Sequence, residues 1–119
     1  MLMKSSVLAE DYTRLEMLKL LLQKGCWMID KYYSEPGSFT QKDINVVIAQ
    51  CKWMAPLLAV EIAQHAIIWH GAFGYTRDCP LEMALRGAMS YVAGAEGAAN
   101  IMKLIVVREV FGSELVATR

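Results

Sequence analysis

The sequence lacks an excess of either charge: 12 Lys and Arg stand against 12 Asp and Glu in 119 residues. Nucleic-acid binding needs a basic face, and this balance argues against it. No run of about 18 uncharged apolar residues occurs, so no membrane span is expected. The most apolar region, residues 46–74, is broken by Gln50, Lys52, Glu61 and Gln64. Residues 1–8 lack the apolar core and small-residue cleavage site of a signal peptide. Cysteine is scarce and odd in number: Cys26, Cys51 and Cys79 are widely spaced and never fall at CxxC spacing. Reduced thiols in a cytoplasmic protein are expected, two of them filling core. Low-complexity segments and internal repeats are also missing.

What is present is apolar surface. The chain is 55% hydrophobic, with a mean hydropathy of +0.30, richer than most small soluble domains. Its length suits a single domain, residues 1–119. Such a surplus implies a helical domain that buries more than one face, against partner domains or subunits, and a homo-oligomer is expected.

Hydrophobic periodicity predicts a first long helix over residues 6–33. Leu8, Leu15, Leu22 and Ile29 recur every seven residues, and Tyr12, Leu18, Cys26 and Tyr33 fill the intervening turns. The run Ser34-Glu35-Pro36-Gly37 breaks it. A second helix starts near Thr40, a plausible N-cap with Asp43 three residues on. Its stripe is Ile44, Val47, Cys51, Leu58, Ile62 and Trp69, while Trp53, Leu57 and Val60 give a second apolar face. Pro56 inside it removes one helical N–H and should bend the helix. A loop holding Gly71, Gly74 and Pro80 leads to a short helix that runs to about Tyr91. A Gly-Ala stretch interrupts, and the last helix carries Ile101, Leu104, Ile105, Val107 and Phe111 to a stop at Gly112. Short connections make neighbours antiparallel, so the fold class is all-α, an up-and-down helical bundle.

Few constellations carry chemistry. His65 and His70 are five apart, off a common helix face and without a carboxylate at ligand spacing, so no metal site is expected. Each is read as a polar group at a helix end or interface. No cysteine has a His nearby in sequence or sits in a nucleophile elbow. Gly71, Gly74, Gly94 and Gly97 form neither a dinucleotide fingerprint nor a P-loop. The Trp and Met residues are read as core.

Glu96 stands apart, a lone acid in "YVAGAEGAAN". Two readings are open. A carboxylate near a helix N-terminus gains from unpaired N–H groups and the dipole. Alternatively, Ala95, Gly97, Ala98 and Ala99 let a substrate approach a base, which further needs a dry pocket to raise its pKa.

The order of motifs resembles the C-terminal helical domain of acyl-CoA dehydrogenases. "HGAFGYTRDCPLE", then Arg86, then "EGAANIMKLIVVRE" follow the family's G-G-x-G-[YF]-x-x-x-x-P-x-E, R-D-A, Y-E-G-T and I-Q-R-L-I-x-A-R-E. Gly71, Gly74, Tyr75, Pro80, Glu82 and Arg86 fall on the first part. Glu96, Gly97, Ile101, Lys103, Leu104, Ile105, Arg108 and Glu109 fall on the last. "VLAED" resembles the L-A-[ED] that opens the family domain's second helix.

By that resemblance, Glu96 is the catalytic base for α,β-dehydrogenation of an acyl-CoA, and Gly71 and Gly97 approach the cofactor. Tyr75 and Arg86 order loops rather than react. The resemblance implies FAD and acyl-CoA in the complete enzyme. It also implies that this chain alone binds no FAD, because the remaining domains or a partner subunit and the domain's own first helix lie outside it. The pattern departs in places. Ala95 replaces the Tyr before the base, Ala98 the Thr after the Gly, Gly87 the Asp after the Arg, Ile67 a flavin-contacting Gln, and His70 the first Gly. Counted from Pro80 and Arg86, Glu96 comes one residue late; counted back from Arg108 and Glu109, it is in register. The lost flavin contacts and the two-faced second helix support an alternative, a non-catalytic helical oligomerisation or assembly module derived from the same family.

Overall fold

The computed structural model of the chain describes residues 2–95 and 97–116. Four helices follow in order: α1 (Leu2–Ser34), α2 (Gln41–Trp69), α3 (Leu81–Ala93) and α4 (Ala99–Phe111). Short 3-10 turns, Gly71–Tyr75 and Ser113–Leu115, precede α3 and follow α4. No strand occurs among the described residues. The all-helical expectation and the order of four helices, two long ones followed by a short one and a last one, hold.

Local residues explain most boundaries. The Thr40 hydroxyl accepts from the Asp43 N–H while the Asp43 carboxylate accepts from the Thr40 N–H, a reciprocal capping box that satisfies donors a helix start leaves unpaired. These bonds hold the Asp43 carboxyl below the usual aspartate range, the backbone bond from Thr40 first. Gly112 ends α4 at φ 109, a conformation that favours glycine. Between α1 and α2, Gly37 turns at φ 90, and the Ser38 hydroxyl donates to the Lys31 carbonyl at 2.9 Å. Trp27 meets Phe39 edge-on at 5.4 Å, closing the turn.

The helices are arranged around α2. α1, α3, α4 and the 71–75 turn all pack on it, whereas the backbone of α1 makes no close approach to α3 or α4 among the described residues. The two apolar faces expected of α2 explain this: one takes α1, the other takes α3 and α4. Met28, Ile44 and Val47 form a buried cluster between α1 and α2, with Leu21, Ile29, Tyr32 and Phe39 against it. On the other side, Met102 and Ala99 of α4 are buried, and Lys103 lies 4.8 Å above the Trp53 ring. Helix α2 runs unbroken through Pro56. By length and composition it is apolar enough to cross a membrane, despite the charges that interrupt it.

The α1 stripe differs from expectation. Leu8 and Leu22 are more than half exposed, and Leu15 is also exposed. The α1 positions turned to α2 are Asp11, Gly25 and Met28, all buried. Close helix packing selects a small residue where backbones approach: a Cβ at Gly25 would meet a Val47 methyl at 3.2 Å. Leu22 and Leu15 instead border open grooves. The larger groove, about 580 Å³, lies between α1, α2 and α3 and is almost wholly apolar, lined by Leu22, Ile29, Ile48, Ala55 and, at one end, Lys52 and Tyr91.

Candidate functional site

The α3–α4 junction carries the features that sequence singled out. Glu96 itself lies outside the described residues. Its neighbours are described and closely held. Helix α3 ends at Ala93, with Gly94 as C-cap donating to the Ser90 carbonyl at 3.0 Å. Ala95 has φ 53, the one positive-φ non-glycine residue among the described residues. A left-handed alanine costs about 1–2 kcal/mol. Gly97 follows at φ 139, and a Cβ there would come within 2.5 Å of the buried Met102 methyl. Helix α4 begins at Ala99, and its N-cap, Ala98, makes no side-chain hydrogen bond.

One side chain from α2 reaches into this junction. The Lys52 ammonium donates to the carbonyls of Tyr91 at 3.1 Å, Gly97 at 3.2 Å and Gly94 at 3.5 Å. It also stands 5.9 Å from the Tyr91 ring centroid. Helix C-termini leave carbonyls unpaired and carry partial negative charge, so a half-buried cation there is stabilising. Sequence reading passed over Lys52 as an interruption of an apolar run. The signal was available: a cation on an apolar helix face must extend to acceptors.

Gly71 opens the 71–75 turn at φ 61, with open space where a Cβ would stand. The turn packs on α2 and α3 but not on α4. Gly71 and Gly97 therefore stand at opposite ends of α3, a helix about 20 Å long, and are not brought together within this chain. Gly74 has a different reason to be glycine: a Cβ would lie 2.5 Å from the Ile67 carbonyl oxygen. Tyr75 is 83% exposed, and Arg86 is exposed with no hydrogen bond among the described residues.

A second polar cluster was missed. Asp11 of α1 is buried, and its carboxylate meets His65 Nδ1 of α2 at 2.7 Å. His65 is 33% exposed and stacks on Trp69. One turn along, Arg14 pairs with Glu61, and that hydrogen bond holds the guanidinium above its usual range. His65 is thus an interface residue. His70 caps the end of α2, its Nδ1 bonded to the Ala66 carbonyl at 2.8 Å. No group of three or more potential metal ligands assembles among the described residues. Of the cysteines, Cys79 is buried, Cys51 half-buried and Cys26 exposed. Burial pushes the Cys51 thiol up, with the Cys26 thiol adding to it.

A flavin dinucleotide needs donors converging on its phosphates. Here the Lys52, Arg14 and Arg108 cations are engaged by carbonyls, Glu61 and Glu109, and the main groove is apolar. That groove therefore brings no set of free converging donors to a dinucleotide's phosphates.

Comparison with known proteins agrees with the motif order. The family model for the acyl-CoA dehydrogenase C-terminal domain matches residues 5–111. A probable acyl-CoA dehydrogenase of Mycobacterium tuberculosis, FadE2, is 30% identical over 74 residues. That stretch is 62% of this chain and 16% of the relative, so the match spans about a sixth of the relative's length. No solved structure matches the chain.

Proposed function

Because the chain belongs to the acyl-CoA dehydrogenase family, as its C-terminal domain, we propose that it supplies the base for α,β-dehydrogenation of an acyl-CoA in an assembled flavoenzyme. Glu96 is that base and takes the α-proton of the thioester. The electron acceptor, FAD, is held by the complete enzyme. A carboxylate suffices as base when the enolate is stabilised as it forms in a water-poor site.

The observation that carries this reading is the strained junction around residue 96. Left-handed Ala95 directly precedes the junction's one acid, and Gly97 directly follows it at φ 139. Backbone strain of this kind persists where surroundings fix it, and it concentrates at functional sites. Helix α3 runs regularly to Ala93. The small side chains there leave room for an acyl chain.

The test is Glu96→Gln in the complete or reconstituted enzyme. A general base contributes about 10²–10⁴ in rate, so dehydrogenation should fall by at least about 100-fold while acyl-CoA binding is retained. Unchanged turnover would sink the proposal.

A second reading, a non-catalytic assembly module, is favoured by the open apolar groove and the exposed Leu8, Leu22 and Ile48. It requires that these surfaces be covered by a partner or a second copy.

A further inference from the structure

Two thiols from different helices face one groove. Cys26 of α1 and Cys51 of α2 both line the large apolar groove between α1, α2 and α3. Cys26 is exposed and Cys51 half-buried, whereas Cys79 is buried away from it. Gly25 lies close against Val47 and Asp11 meets His65, so α1 and α2 run antiparallel. Cys26 follows Gly25 directly, and Cys51 stands four residues, about one turn, beyond Val47. Side chains on a helix lean toward its N-terminus. On these antiparallel helices the Cys26 thiol leans toward the level of Cys51, and the Cys51 thiol leans toward the level of Gly25. Burial raises the Cys51 pKa first and Cys26 adds to it, which puts the two sulfurs within electrostatic reach of each other.

A disulfide needs its Cα atoms within about 7 Å. Among the described residues the backbone of α1 closely approaches α2 and no other helix. It can therefore shift by part of a turn without meeting the backbone of α3 or α4. We infer that Cys26 and Cys51 form a two-cysteine redox site: the exposed thiol takes an oxidant from solvent, and the half-buried thiol resolves it into a disulfide that joins α1 to α2. The oxidant is a small-molecule disulfide. The Cys26 thiolate attacks one of its sulfurs, the S–S bond breaks, and one thiolate leaves and takes the proton that Cys26 gave up. Cys51 then loses its proton and attacks the Cys26 sulfur. The mixed disulfide breaks, and the second thiolate leaves and takes that proton. Two cysteine thiols are oxidised by two electrons, and one small disulfide is reduced to two thiols. Exposure sets the order, because the apolar setting that keeps Cys51 protonated prevents it from attacking first. An accessible thiol beside a resolving one is the arrangement of reversible redox sensors. The bond fixes the wall of the groove to its floor, so oxidation state sets how far the groove can open. Residue 96 takes no part, and the site stands or falls independently of the base reading.

The experiment treats the reduced, folded chain with oxidised glutathione, quenches with acid and reads intact mass and linked peptides. A single glutathione adduct on Cys26 should appear first. It should give way to a chain two hydrogens lighter, with Cys26 linked to Cys51, and added thiol should restore the starting mass. The pair Cys51 and Cys79 has a similar separation along the chain, so loop closure alone favours neither. The folded chain should form the Cys26–Cys51 link at least about tenfold over any other, and in urea that preference should vanish. Cys51→Ser should leave the glutathione on Cys26. Cys26→Ser should take up glutathione at least about tenfold more slowly than the unmodified chain. A Cys26 adduct that persists unresolved in the unmodified chain overturns the proposal. So do links in the same proportions with and without urea, or a disulfide-linked dimer as the main product.

Discussion

The Asp11 carboxylate, buried on α1, meets His65 Nδ1 on α2 at 2.7 Å and ties the start of one long helix to the end of the other. The contact lies far from the Met28, Ile44 and Val47 cluster that joins the opposite ends. Without it, the first turns of α1 would have few anchors. Asp11→Ala should destabilise the chain by about 1.5–3 kcal/mol, the range for hydrogen bonds with a charged partner. Asp11→Asn retains an acceptor and should cost less. Urea unfolding measures both, and a negligible effect of Asp11→Ala would remove this contact from the account.

The capping box predicts a pH dependence. The Asp43 carboxyl is held below its ordinary value by bonds from Thr40. A depressed folded-state pKa contributes stability that is present above the unfolded value, about 3.9, and is lost as pH falls through the folded one. Wild type should therefore melt higher than Asp43→Asn at neutral pH, and the gap should close progressively below about pH 4. Thr40→Ala should cost about 1 kcal/mol at neutral pH. Melting curves at stepped pH read this directly, and a gap that persisted undiminished in strong acid would contradict it.

The fold was legible where single residues encode it. Thr40 with Asp43, the Pro36-Gly37 break, Pro80 and Gly112 each set a boundary through their own backbone chemistry. Which face of α1 is buried was not legible. The seven-residue apolar stripe pointed to Leu8, Leu15 and Leu22, yet α2 receives Asp11, Gly25 and Met28. Packing there depends on a close backbone approach and on a charged pair completed by a residue 54 positions away. Nothing in α1 alone reveals either. At the junction, the small residues around Glu96 were readable and Lys52 was not, since its acceptors lie 39 to 45 residues along the chain. Nor does an alanine announce that it will be left-handed.

Ala95 at φ 53 and Gly97 at φ 139 make opposite predictions. Ala95→Gly relieves a left-handed alanine, a gain of about 1–2 kcal/mol, against about 0.4–1 kcal/mol of added freedom in the unfolded chain. It should be neutral or stabilising. Gly97→Ala should destabilise by about 1 kcal/mol or more, since the new methyl also displaces that of Met102. Chemical denaturation of the two variants gives the sign. A clear loss from Ala95→Gly would show that the left-handed residue is not strained.

The open groove predicts association. Leu22 and Ile48 line it and are each about half exposed, more apolar surface than a lone soluble domain usually leaves uncovered. Sedimentation of the chain should show concentration-dependent self-association, and Leu22→Glu should shift it to monomer. A monomer at all concentrations would count against the assembly reading.

The central claim is that this domain brings the base to the α-carbon of an acyl thioester. Proton exchange tests it most directly. The measurement is wash-out of α-deuterium into water from an acyl-CoA that cannot be oxidised, bound to the complete or reconstituted enzyme. The account predicts exchange that falls by at least about 100-fold in Glu96→Gln, the size of a general-base contribution. Equal exchange in wild type and Glu96→Gln would contradict it.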